Sequence, residues 1–414
     1  MAILGIIAEF NPLHNGHLFL LNKALNTSSF SGTVCVMSGN FLQRGEPALC
    51  NKWVRTQMAL EAGIDLVIEL PFCYSVRSAH YFARGALQLL ERTGVVTHLA
   101  FGSESGSLAQ LQSIATIISN EDPSFQNILR EHLNRGLSFP SARSIALQQY
   151  TKEKSLNVEE LLKQPNNILA LEYLKVLQQD SIPITPLTIA RQGTGYHSTD
   201  LSSFPSASAI RFSLLHNEKK ESIANSMPAR SMTLLKQEIC SGRAPISLDS
   251  MEQSMLYKLR TLPLRQLENI YEISEGLENR IQKAAISCGS IDELTHNIKS
   301  KRYSLSRINR TLLYVLMDLY ADTVQQYDQI GPQYLHILGF SSLGQKILQE
   351  IKTKSKIDIL SRGHDVKDLH FNGDANASSM IDLDIKATNI YTLLYPNPSM
   401  RQGNLDFTQS PIMV

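Results

Sequence analysis

Apolar positions follow two rhythms in this chain. Over the first hundred residues they come as short, almost unbroken runs: one from Ile3, then TVCVM within Thr33–Ser38, DLVIEL at Asp65–Leu70, and a last run at Thr97–Gly102. Between them lie stretches of helical spacing, near Lys52–Ala62 and over Ala79–Glu91. Strands that alternate with helices predict a parallel sheet. Runs this apolar need helices on both faces. The fold class expected is therefore α/β, a Rossmann-like doubly wound sheet whose ligands sit beyond the carboxyl ends of the strands. Those ends carry Glu9 to His17, then Ser38-Gly39-Asn40, then Gly102-Ser103-Glu104.

From about Leu108 to Gln178 the rhythm turns helical, with Pro123, Pro140 and Pro165 as breakers, which predicts a helical insertion over the sheet. A further strand is expected at Ile184–Ala190, leading to Arg191 and a polar loop that ends at Ser206-Ala207-Ser208-Ala209-Ile210-Arg211. Beyond about Asn217 helical periodicity dominates, as in MEQSMLYKLRTL and LENIYEISEGLENRIQKAA. A boundary between Leu215 and Pro228 divides the chain into residues 1–216 and a mostly helical domain, 217–414. In the last forty residues the pattern supports one amphipathic helix, near Ile381–Leu394.

Composition changes this picture little. At 414 residues there is room for two or three domains and a substantial core. The formal charge of +1 gives no chain-wide attraction to nucleic acid, so any basic surface must be local. Five scattered cysteines without a C-x-x-C pair suit free thiols in a reducing compartment. No apolar run approaches a membrane span and no basic leader precedes the first strand, so a cytoplasmic protein is expected.

The chemistry begins at His14-Asn15-Gly16-His17, where the first strand runs through a Pro turn into a helix start. Two histidines three residues apart at a helix N-terminus can offer ring N–H groups to a phosphate, beside free backbone N–H groups and the positive end of the helix dipole. Gly16 would let a triphosphate approach the backbone. A plain helix cap is the competing reading. A zinc site is disfavoured, because it needs three or four protein ligands and no Cys or acidic residue stands at metal spacing. SASAIR is the second element: hydroxyls of Ser206 and Ser208 at a helix start, with Arg211 on the next turn, can hold the leaving phosphates. A simple Ser N-cap competes there.

The H-x-G-H pattern resembles the nucleotidyltransferase superfamily, and SASAIR resembles its S-S-T-x-I-R element, with Ala207 departing from the second Ser. The blocks GIIAEFNPLHNGH, MSGNFLQRGEPA, NKWVRTQMALEAGIDLVIELP, AFGSESG, PNNILALEYLK and KSKRYSLSRINR together resemble the bacterial tRNA(Met) cytidine acetate ligase family over nearly the whole chain. The resemblance implies that residues 1–216 form the ATP-binding catalytic domain. It implies activation of acetate with ATP, release of pyrophosphate, and transfer of the acetyl group to the wobble cytidine of elongator tRNA(Met), giving N4-acetylcytidine. His14 and His17 would be the catalytic pair. The ATP contacts would fall on Ile7, Ala8, Glu9, Phe10, Asn11, Pro12, Leu13, His14, Asn15, Gly16, His17, Leu18, Phe19 and Leu20, with Gly102, Asn166 and Arg191. Read from sequence alone, Asn166 would be a helix N-cap and Arg191 a surface residue. Mg²⁺ would accompany the phosphates, and no resident metal is expected.

RNA needs a basic surface, and Lys299, Lys301, Arg302, Arg307 and Arg310, with Tyr303 among them, form the candidate. A solvated helix face is the competing reading. The turn Gln43-Arg44-Gly45-Glu46, followed by Lys52 and Arg55, is a candidate border of the acetate or RNA entrance, with no role assigned. Alternative functions are a small-molecule nucleotidyltransferase, an adenylate-forming ligase joining a carboxylate to a small amine, or a non-catalytic RNA-binding protein. No obligate protein partner is evident.

Overall fold

The computed structural model describes residues 2–120, 122–151, 158–191, 206–216, 223 and 225–414. The expected strands are present: β1 (Leu4–Ala8), β2 (Thr33–Ser38), β3 (Leu66–Leu70), β4 (His98–Ser103) and β5 (Thr185–Ala190). All are parallel, in the order β5-β4-β1-β2-β3. Numbering therefore runs outward in one direction from β1 to β3 and in the other from β4 to β5. The reversal between β1 and β4 opens a crevice at their carboxyl ends, where doubly wound sheets bind ligands.

Helices α1 (Asn15–Leu25), α2 (Lys52–Glu61) and α3 (Ala79–Arg92) connect these strands. The insertion is helical as expected, and its prolines start helices rather than only breaking them. Pro123 opens one at Pro123–Asn134 and Pro165 opens α4 (Pro165–Gln179), where the missing N–H costs nothing. After β5, helix α5 (Ala207–Leu215) carries the SASAIR element. The polar loop 192–205 before it lies outside the described residues, as do most residues of the expected boundary, 217–222 and 224.

Beyond that boundary the helical expectation is incomplete. The chain returns to the sheet as β6 (Tyr334–Phe340), antiparallel to β3, with β7 (Asp358–Leu360) and β8 (Ile412–Met413) both parallel to β6. The run YLHILGF is buried on both faces, so it lacks the alternation that marks a strand among helices. The segment LENIYEISEGLENRIQKAA is likewise not continuous helix. It breaks at Glu272, Glu275 and Gly276, all with positive φ, before helix Leu277–Ser287. Helix α6 (Leu305–Met317) begins at a Ser304 cap, and α7 spans Ala375–Leu393. The amphipathic helix expected at Ile381–Leu394 is the second half of α7, which buries residues around much of its circumference.

One ion network ties this C-terminal part to the sheet. Lys52, fully buried on α2, donates to Glu69 of β3 at 2.9 and 2.7 Å and to Asp406 at 2.5 Å, while His336 of β6 lies 2.8 Å from Glu69. Among the described residues, Glu69, His336 and Asp406 are the one group arranged to hold a metal ion, and the Lys52 ammonium already bridges both carboxylates. Burial would raise Glu69, but Lys52 and His336 outweigh it and hold the carboxyl at about 2 against an ordinary 4.5. A depressed carboxyl stabilises the fold above its unfolded value and loses that contribution as pH falls toward the folded one. The urea midpoint should therefore drop between pH 4.5 and about 2. Glu69→Gln should lower the midpoint at neutral pH and remove part of that acid dependence. An unchanged acid profile in the variant would show that Glu69 is not the group responsible.

Candidate active site

His14 caps α1 in extended conformation, and its side chain belongs to a reciprocal pair. His14 Nδ1 accepts from Gly16 N–H at 3.0 Å, and His17 Nδ1 accepts from His14 N–H at 3.2 Å. The rings stack with centroids 3.8 Å apart, and Phe10 meets His17 edge-on at 5.1 Å. A ring nitrogen that accepts carries no proton, so in each neutral imidazole the proton is on Nε2. Burial, then Arg191 and Arg211, push His14 down to about 3. Burial, His14 and Arg191 hold His17 well below its usual value. Both histidines are therefore neutral Nε2–H donors at pH 7.

Two expectations change here. The first backbone amides of α1 are not free, because Asn15 N–H donates to Ser226 O at 3.0 Å, Gly16 N–H to His14, and His17 N–H to His14 O at 2.9 Å. At the start of α1 the donors left for a phosphate are therefore the imidazoles rather than the backbone. Gly16 also has another reason to be glycine: a Cβ there would lie 2.8 Å from His14 Cε1. It makes room for the histidine ring.

The rest of the loop is rigidly held. Asn11 Oδ1 accepts from Leu49 N–H at 2.7 Å, Asn15 Nδ2 donates to Asn225 O at 2.8 Å, and Leu13 is buried with Phe10 beneath. The Asn11–Pro12 peptide is cis. Ile7 and Ala8 end β1 and Leu18, Phe19 and Leu20 continue α1, all partly buried.

Gly102, Asn166 and Arg191 come together on the β4/β5 side. Arg191 Nη1 donates to Asn166 Oδ1 at 3.0 Å, and Asn166 Nδ2 donates to Glu104 at 2.6 Å. A Cβ on Gly102 would meet Leu20 at 3.2 Å and Arg191 at 3.3 Å. Asn166 is thus no helix cap, since Gln164 holds that position. Glu104, flagged in sequence only as lying at a strand end, is the strut: its other oxygen accepts from Asn167 N–H at 2.9 Å, and Asn167 Oδ1 accepts from Glu104 N–H at 2.9 Å. Arg211 approaches from the other side and donates to Asn11 O at 2.8 Å. Ser206 caps α5, accepting from Ala209 N–H at 3.2 Å, with Ser208 Oγ 2.9 Å away. The two arginines that depress His14 therefore come from two different elements around it.

Lys52 and Arg55 are not at an entrance. Both are fully buried. Arg55 donates to Cys50 O at 3.1 Å, Glu9 O at 2.7 Å and Ser38 O at 3.0 Å, and also to Gly39 O, stitching the ends of β1 and β2. The signal was its place three and four residues before Met58 and Ala59, on the buried stripe of α2. The turn at Gly45 does border the C-terminal half. A Cβ on Gly45 would lie 2.4 Å from Arg310 N of α6.

The basic segment divides. Lys299, Lys301 and Arg302 are exposed, with Arg302 paired to Glu275 at 2.9 Å. Tyr303 is buried, donates to Ser274 O at 3.2 Å, and is covered by Arg307 at 4.9 Å. Arg307 also donates to Glu272 O at 3.3 Å, and Arg310 is buried against Glu272 at 3.4 Å. In this conformation no Tyr303 face is open for stacking.

Comparison with known proteins finds relatives over the full length of the chain. The HIGH Nucleotidyl Transferase family matches residues 1–406. The tRNA(Met) cytidine acetate ligase of Syntrophomonas wolfei is 57% identical over 413 residues, covering 100% of this chain and 99% of its own. That of Halothermothrix orenii is 39% identical, covering 98% of both. Among solved structures, Thermotoga maritima TmcAL without ligand superposes with a TM-score of 0.94 at 37% identity over 100% of both chains. The form bound to alpha-thio ATP gives 0.92 over the same coverage.

Proposed function

This chain belongs to the tRNA(Met) cytidine acetate ligases of the HIGH nucleotidyl transferase family, and from that premise we propose how its residues activate acetate with ATP and acetylate a tRNA cytidine. The observation that carries the mechanism is the pair of neutral imidazoles, each locked by its Nδ1 and left with Nε2–H as a donor. Acetate is a poor acyl donor because its oxygen leaves badly. One carboxylate oxygen therefore attacks the α-phosphorus of ATP, pyrophosphate leaves, and acetyl-adenylate remains. Charge accumulates on phosphate oxygens in that step. Fixed donors aimed at developing charge are the main means of lowering such a barrier. His14 and His17 serve in that way, not as nucleophiles.

Arg191 and Asn166 hold the nucleotide on the β4/β5 side with Gly102, and residues 7–20 line the floor. Arg211, with Ser206 and Ser208, faces the leaving β- and γ-phosphates. Mg²⁺ bound with ATP would supply a counter-charge to the phosphates beside Arg211 and the histidines. In the second step the 4-amino group of the wobble cytidine of elongator tRNA(Met) attacks the acetyl carbonyl and AMP departs. That amine is weakly nucleophilic because its lone pair is delocalised into the ring, so it needs a mixed anhydride. Residues 1–216 supply this chemistry and 217–414 the RNA-facing part, and the work belongs in the cytoplasm. No described helix is long and apolar enough to cross a membrane.

The test is incubation with ATP, Mg²⁺, labelled acetate and total tRNA. Label should appear in N4-acetylcytidine of tRNA(Met). Label on a small amine, or a requirement for acetyl-CoA instead of ATP, would overturn the reading.

RNA docking gives a separate prediction. Replacing Lys301, Arg302 and Arg307 together by Ala should greatly weaken tRNA acetylation while acetate-dependent ATP–pyrophosphate exchange stays close to the parent. Each lost phosphate contact should flatten the salt dependence of tRNA binding by about 0.7 to 0.9 of a slope unit. A triple variant that binds tRNA with the parent's salt slope would mean that RNA docks elsewhere.

A further inference from the structure

The transfer step needs a proton acceptor, and the histidines cannot provide one. Their Nδ1 atoms are taken by backbone N–H groups and their Nε2 atoms already carry protons. Carboxylates around the crevice are mostly committed as well. Both Glu104 oxygens are bonded by Asn166 and Asn167, and Glu46 faces Arg211 at 3.9 Å. Glu69 is paired with Lys52.

Glu9 is the exception. It follows β1 directly, five residues before His14. Its Oε1 accepts from Gln43 N–H at 2.8 Å, and its backbone carbonyl accepts from Arg55 at 2.7 Å. Among the described residues its Oε2 accepts no hydrogen bond. The turn that holds it closes through Gly45 N–H to Leu42 O and Leu42 N–H to Glu46 O, both at 2.9 Å. Gly45, with φ of 78°, lets this turn seat on the backbone of Asn309 and Arg310 in α6. The turn follows β2, whereas Gly102 lies at the end of β4 and Arg191 follows β5, and β2 and β4 flank β1 on opposite sides. Nucleotide and acceptor thus have separate flanks of one crevice. Glu9 stands between them, held by the turn that touches the RNA-facing half.

We propose that Glu9 accepts the proton released when the cytidine 4-amino group is acetylated. This rests on the function proposed above. The amine nitrogen bonds to the acetyl carbon, the bond from that carbon to the AMP phosphate oxygen breaks with its electron pair leaving on AMP, and one N–H proton passes to Glu9 and then to solvent. The groups facing Glu9 are Arg211 from α5, Arg44 and Glu46 from the turn, Arg55 from α2 and Tyr173 from α4. Burial raises its proton affinity, with Gln43 N–H, Arg211 and Arg44 opposing and Glu46 adding, and the net direction is up. A carboxylate so raised is a better base than an exposed one.

Single-turnover transfer from pre-formed acetyl-adenylate to tRNA(Met), followed from about pH 5 to 9, tests this alongside pyrophosphate exchange. The parent's transfer rate should fall as acid protonates Glu9. Glu9→Gln should slow transfer by on the order of 100-fold and lose that acid limb, a larger loss than the one in exchange that its place in the ATP-lining loop brings. Glu9→Asp should keep the limb at a reduced rate, and decides the matter if the Gln variant does not fold. Equal losses in both half-reactions would mark Glu9 as an ATP contact only and overturn the proposal, as would near-parent transfer by Glu9→Gln. A parent enzyme that forms acetyl-adenylate but never acetylates tRNA would instead defeat the function proposed above.

Discussion

Replacing His14 or His17 by alanine is expected to cut acetyl-adenylate formation by on the order of 100-fold or more, the usual cost of one fixed donor at developing charge. The effect should exceed any loss of folding. His14 also caps α1, so His14→Ala removes a cap worth about 1 kcal/mol. His14→Asn separates the two roles, because Asn restores the cap and cannot present an imidazole Nε2–H. Acetate-dependent ATP–pyrophosphate exchange in the folded variants is the measurement. Exchange near the parent rate in His14→Asn would reduce His14 to a structural cap.

The second large effect is expected at Arg55, which the chemistry never touches. Its guanidinium satisfies four backbone carbonyls, of Glu9, Ser38, Gly39 and Cys50, in a fully buried place. Arg55→Met leaves those acceptors without water or donor. An unsatisfied buried acceptor costs about 1–3 kcal/mol, so a loss of at least about 3 kcal/mol is expected even after partial relaxation. Lysine should rescue little, since one ammonium on a flexible stem cannot replace a planar fork spread over two strand ends. Urea unfolding of the parent, Arg55→Met and Arg55→Lys reads the first effect. Because those carbonyls hold the end of β1 that leads into the His14 loop, pyrophosphate exchange should also fall in the variants at temperatures where they remain folded. A Met variant as stable and active as the parent would mean that the carbonyls find other donors.

The sequence by itself determined the first half of the sheet and the place of the crevice. Runs such as TVCVM and DLVIEL can only be strands buried on both faces, and strands spaced by helices must run parallel, so β2 and β3 stand where their apolar rhythm put them. HNGH was legible for the same reason: the strand and the helix start that give it meaning are its immediate neighbours. What neighbours in sequence could not decide was partnership across the fold. Whether Lys52 and Arg55 lay at an entrance or in the core depended on Glu69, Asp406 and carbonyls from other segments. Whether the Asn15 amide at the start of α1 was open to phosphate depended on Ser226, more than two hundred residues away. YLHILGF reads ambiguously alone and becomes β6 only because β3 offers it an edge. Tyr303 turned inward because Ser274 and Arg307 meet it there. Periodicity is a local property that sets each element's buried face, whereas the satisfaction of a buried charge or donor is a condition on the whole packed chain, and only the tertiary structure meets it.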